Sequence, residues 1–147
     1  MTWTLRLTLL AAVVTAACAG CVSNDWKRFR GMCYWHSNYT LKWDDAKDVC
    51  HYQFPGSDMV SIHDLDLNAF IAQNLLDYTE TWLGLSRDSS SSWEWSDGSS
   101  FDFNNWYGGD PVYFGAGCAT TNWNGLGDWT GHGCSTYQHF MCQLATL

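Results

Sequence analysis

The sequence predicts an α+β domain: two helices, then short strands and a long loop region, with disulfides as added support. Three observations carry this reading. Apolar residues recur at helical spacing in two segments of the first half. After them the pattern changes to short, aromatic-rich runs bounded by Gly, Ser or Asp, which is how strands read. Cysteine is plentiful for 147 residues, with 7 in all, and in a short exported chain such a count points to a disulfide framework.

The N-terminus supports export. Arg6 precedes an apolar run from Leu7 to Val14 and then small residues, the layout of a secretory signal peptide over residues 1–19 that is too short to span a membrane. Cleavage after Ala19 or Gly20 removes Cys18 and leaves Cys21, Cys33, Cys50, Cys118, Cys134 and Cys142. An odd count becomes even, although six cysteines pair in many ways and the sequence alone does not choose among them. The remainder, 20–147, has the size of one domain. No later apolar stretch is long enough for a membrane span, so a secreted, extracellular protein is expected.

In WDDAKDVCHYQF the apolar residues Trp43, Ala46, Val49, Cys50 and Phe54 fall at helical spacing. Asp44 and Asp45 stand in the first turn, where the helix dipole favours negative charge. In DLDLNAFIAQNLLD, residues 64–77, Leu67, Phe70, Ile71 and Leu75 share one face and Asp64 suits the N-cap. The runs TWLGL, SWEW and HFMCQL read as strands, and Ser89 to Ser92 as a turn. Between Gly98 and Gly133 glycine, asparagine and aromatics dominate, which predicts an unusually long loop region.

The formal net charge is -8, and from Asp48 onward twelve acidic residues stand against a single cation, Arg87. Such a surface repels phosphate backbones and offers no basic stripe to anionic lipid, so neither nucleic acid nor a membrane is an expected partner.

The order of motifs is specific. Cys21, DWKRFRGMCYW, a helix ending in Cys50, TWLGL, WEWSDGS, a loop with Asp-Pro, then WTGHGC and FMCQ together resemble the C-type lectin-like domain over nearly all of 20–147. The resemblance implies the fold of that family, with short antiparallel strands. It implies the pairings Cys50 with Cys142, Cys118 with Cys134, and, as in its long form, Cys21 with Cys33. It also places Trp82, Trp95, Trp106 and Trp129 in the core, where buried indoles carry large apolar area, and makes Gly84 and Gly98 backbone necessities.

Sugar-binding members hold calcium in the long loop through a Glu-Pro-Asn or Gln-Pro-Asp tripeptide, a further acid, and a Trp-Asn-Asp triplet. The matching positions here are Asp110, Pro111 and Val112, then Ala116, then Trp129, Thr130 and Gly131. Arg87, Ser91 and Gly117 fall where the neighbouring calcium site would have acids. Calcium takes six to eight oxygen ligands, so this list supports weak calcium binding at most, and no cofactor is expected. Pro111 stands where the family proline follows a cis bond. The aromatic and amide residues of the loop are the remaining candidates for ligand contact: Tyr107, Tyr113, Phe114, Asn122, Trp123 and Asn124, beside Asp110, Pro111 and Thr130. They either meet a ligand or fill the loop's own small core.

Outside the loop, five histidines are scattered without zinc spacing, and no serine sits in a nucleophile elbow. No enzyme is expected. Asp97, before Gly98, is expected to bond its own backbone in a turn. Asn38 in N-Y-T is a glycosylation acceptor, which would make the chain a glycoprotein. The function implied by the resemblance is calcium-independent recognition of glycans or microbial surfaces, in the manner of innate defence. A protein-interaction module with an extracellular protein ligand comes next, and an acidic matrix, mineral or ice-surface protein last.

Overall fold

The computed structural model describes residues 20–89, 92–109, 111, 117–125 and 127–146. The leader-like segment 1–19, Ser90, Ser91, Asp110, Val112, Tyr113, Phe114, Gly115, Ala116, Leu126 and Leu147 lie outside them. The expectations placed on those positions, and on the Asp110–Pro111 bond, therefore carry no structural statement.

Helix α1 (Trp43–Gln53) buries Trp43, Ala46 and Cys50 and carries Asp44 and Asp45 in its first turn. The Trp43 indole donates to the Leu83 carbonyl at 2.8 Å, so the helix start is tied to the sheet. Helix α2 (Leu65–Asn74) is capped by Asp64, whose carboxylate accepts from the Leu67 N–H at 2.8 Å. It stops short of the predicted Asp77 because Leu76 turns fully into the core and Asp77 and Tyr78 take left-handed φ of 40° and 61°.

The strands are β1 (Lys27–Phe29), β2 (Met32–His36), β3 (Asp58–Met59), β4 (Thr81–Arg87), β5 (Glu94–Trp95), β6 (Gly117–Thr121), β7 (Trp129–His132) and β8 (His139–Ala145). Their order is β1-β2-β8-β4-β6-β7, with β3 paired to β8 and β5 to β4. Pairing is antiparallel except between β4 and β8, where Thr81 meets His139 and Trp82 meets Phe140 in parallel. The chain between the two strands is long enough for the crossover a parallel pair needs.

The three disulfides join Cys21 to Cys33, Cys50 to Cys142 and Cys118 to Cys134, the pairing the resemblance implies. Trp82 and Trp129 are fully buried. Trp95 and Trp106 stand edge-on to Trp129, with ring centroids 5.8 and 5.7 Å away. Gly84 is obligatory for packing: a Cβ there would lie 2.7 Å from Ser96 Oγ and 3.0 Å from Met59 Cβ.

Candidate ligand-binding site

Between β6 and β7 the chain is held from beneath at Gly127 by side-chain amides. Buried Asn68 on α2 accepts from Trp129 Nε1 at 2.8 Å and donates to the Gly127 carbonyl at 3.1 Å. The same carbonyl accepts from Asn105 Nδ2 at 3.0 Å and Thr121 Oγ1 at 3.1 Å. Three donors on one carbonyl fix the turn against both the helix and the sheet.

Two of the residues expected to meet a ligand face inward. Asn122, 3% exposed with φ 70°, accepts from Gly127 N–H at 3.2 Å and donates to the Thr79 carbonyl at 3.3 Å. Its amide therefore serves the turn, which corrects the expectation that it is offered outward. Thr130, paired with Thr120 in the strand register, is 5% exposed and needs the same correction. Asn124 is exposed and donates to Asp128 Oδ2 at 2.6 Å. Pro111 is half-buried, and Tyr107 is exposed on a short 3-10 turn. Trp123 presents half its surface, 50%, to solvent at the tip.

Around Trp123 the fold assembles residues that the sequence reading did not single out. Glu80, just before β4, accepts from Thr120 Oγ1 at 2.6 Å and contacts His132 Nε2. The His132 ring lies 5.7 Å from the Trp123 ring and edge-on to Trp82 at 6.3 Å. Glu80 and His132 keep 22% and 24% of their side-chain surface exposed. Burial pushes the Glu80 carboxyl up, but the hydrogen bonds from His132 and Thr120 outweigh it and hold the group below its ordinary range. The face thus carries an ionised carboxylate, an imidazole and an exposed indole side by side.

A second group was also missed. Ser99 Oγ lies 3.1 Å from His63 Nε2, and His63 Nδ1 lies 2.6 Å from Asp102 Oδ1, the order of nucleophile, base and orienting acid. The protons run the wrong way for that chemistry. Asp97 takes hydrogen bonds from Ser61 Oγ at 2.5 Å, Gln143 Nε2 at 2.9 Å, Ser99 N–H at 2.9 Å and Ser99 Oγ at 2.5 Å. The Ser99 hydroxyl donates to Asp97 Oδ1, so its proton is not directed at His63. Asp97 does bond its own turn, as expected, and also anchors β8 through Gln143.

At the positions where the resemblance would put calcium ligands, Gly117 and Gly131 have no side-chain oxygen. Arg87 lies over the Trp93 ring, 4.9 Å from its centroid. Among the described residues no three of His, Cys, Asp or Glu are grouped to hold a metal ion, and no helix is long and apolar enough to cross a membrane.

The chain is similar to known proteins in sequence and in fold. The family model for the lectin C-type domain matches residues 39–144. Lectin BRA-3 of Megabalanus rosa is 31% identical over 145 residues, covering 96% of this chain and 88% of that protein. The mouse scavenger receptor C-type lectin carbohydrate-recognition domain superposes with a TM-score of 0.73 at 30% identity, over 84% of this chain and 96% of its own. Human lithostathine shares the fold with a TM-score of 0.80 at 23% identity, over 95% of this chain and 100% of its own.

Proposed function

The chain belongs to the C-type lectin domain family, and from that premise we propose that it is a secreted module that binds glycans without calcium, through the face bearing Trp123, His132 and Glu80. The observation that carries this is the half-exposed Trp123 indole beside a carboxylate held ionised by its neighbours. The apolar face of a pyranose stacks on such a ring, while its hydroxyls donate to the Glu80 carboxylate. A relative at 30% identity is named as a carbohydrate-recognition domain, which supports the ligand class. Secretion rests on the layout of residues 1–19 and on three disulfides, which persist in oxidising compartments.

Calcium independence rests on the donor set. The ion needs six to eight oxygens. At the family's metal positions the sequence offers side-chain oxygens only from Asp110, Ser91 and Thr130, the last of them buried, and puts a cationic Arg87 at the neighbouring site. The test is a glycan and microbial-polysaccharide array probed in calcium and in chelator, with wild type and Trp123→Ala. Binding should survive the chelator and weaken about tenfold in the variant, the loss of one stacking contact. Signal abolished by the chelator would refute calcium independence. Capture of extracellular proteins alone would move Trp123 to the second reading, an anchor for a protein partner.

A further inference from the structure

A groove separate from the Trp123 face lies between α2 and the chain at Asp77–Tyr78, Gly125 and Asp128, with a volume of about 580 Å³. Small-molecule sites fall in this range of volume. Ala69 and Ala72 line the helix side, where short side chains leave the space open. Gly127 lets the turn close against the helix, since a Cβ there would sit 2.9 Å from Ala72 Cβ. The Tyr78 ring stands at the rim, 85% exposed, and passes over Gly125, whose added Cβ would meet the ring at 3.4 Å. Asp128 is oriented by Asn124 at 2.6 Å and Asn105 at 3.3 Å, and Asp77 is exposed beside Tyr78.

The lining combines an exposed aromatic ring, carboxylate acceptors and amides, and among the described residues includes no Lys, Arg or His. That chemistry suits a neutral polyhydroxylated ring: CH groups lie on Tyr78 while hydroxyls donate to the carboxylates. Acidic sugars and phosphates are repelled by the same two carboxylates. We propose that this groove is a second saccharide site, specific for neutral hexoses. It stands on its own residues and does not depend on the Trp123 face.

The test is an amide-shift titration of isotope-labelled protein with methyl α-mannopyranoside, methyl β-galactopyranoside and N-acetylneuraminic acid. A neutral glycoside should give saturable shifts at Ala72, Asp77, Gly125 and Asp128, and the acidic sugar should not. Ala72→Gln, which fills the groove, and Tyr78→Asn, which removes the ring but tolerates left-handed φ, should each weaken binding at least fivefold. Tyr78→Phe should bind as wild type, and Trp123→Ala should leave the shifts in place. Matching amide dispersion in each variant establishes that it is folded. Shifts confined to Trp123 and His132 would overturn the groove and leave the glycan reading intact. Neutral glycosides that move none of the four amides, or tighter binding of the acidic sugar, would also overturn it.

Discussion

Asn68 shows how much of the site depends on a side chain that is almost wholly buried. It is 3% exposed, and its carboxamide bridges the buried Trp129 indole to the Gly127 carbonyl. In Asn68→Ala the fully buried Trp129 indole N–H loses its acceptor, and an orphaned buried donor costs about 1–3 kcal/mol. Asn105 and Thr121 still hold Gly127, so the turn should loosen without detaching. The expected outcome is an unfolding free energy in urea lower by about 2 kcal/mol, with amide shifts reaching Trp123. An unchanged midpoint would show that the bridge carries nothing. Sequence reading could not have found this residue. Its partner lies 61 positions away, and a lone asparagine inside DLDLNAF has no local signature. The core tryptophans were legible through the motif order of the family resemblance, since size alone would have buried Trp123 with them.

The α2 helix is the element on which the turn rests, and its start is defined by a pair of carboxylates with unequal tasks. Asp64 caps the Leu67 N–H at 2.8 Å and accepts from Arg30 Nη1 at 2.8 Å, whereas Asp66 only pairs with Arg30, at 2.5 Å. These ion pairs are about half exposed or more, and exposed pairs contribute roughly 0–1 kcal/mol. Loss of a cap costs about 1 kcal/mol. Asp64→Ala should therefore destabilise by about 1–2 kcal/mol and Asp66→Ala by less than about 0.5, as read from paired urea melts; equal losses would mean that the cap is idle. Both helices and the strands around TWLGL and HFMCQL were legible because period and punctuation coincide there. SWEW shrank to Glu94–Trp95. Strands β6 and β7, GCATT and WTGH, were invisible because nearly every position is buried, which erases the alternation that marks a strand. The β1–β2 hairpin turns on Arg30 and Gly31, φ 48° and 79°, and Arg-Gly is a weaker turn signal than Asn-Gly. The site suffered for the same reason: Glu80 and His132 come together only through the pairing of β6 with β7 and β4.

At the scale of the whole molecule, the Cys50–Cys142 bridge spans 92 residues and in the chain-entropy model contributes about 5 kcal/mol by restricting the unfolded chain. Reserve of that kind lets the fold tolerate groups that oppose protonation, and His36 is one. Burial, reinforced by the neighbouring His139 and only partly offset by Asp77, pushes its pKa from 6.5 down to about 4. The folded state therefore refuses a proton that the unfolded state accepts near pH 6.5. Above that pH the contribution is fully present; it is lost as pH falls from 6.5 towards 4, up to about 2–3 kcal/mol. Glu80 has the acidic sign at lower pH. Because its folded pKa lies below the ordinary 4.5, its contribution is lost only as pH falls below that value. The two windows separate the groups. Melting temperature followed from pH 7 to pH 3 should fall in two stages, with His36→Gln flattening the upper one and Glu80→Gln the lower. If His36→Gln left the decline between pH 6.5 and 4 as steep as in wild type, the acid sensitivity would have to originate elsewhere, and the buried imidazole would have no part in it.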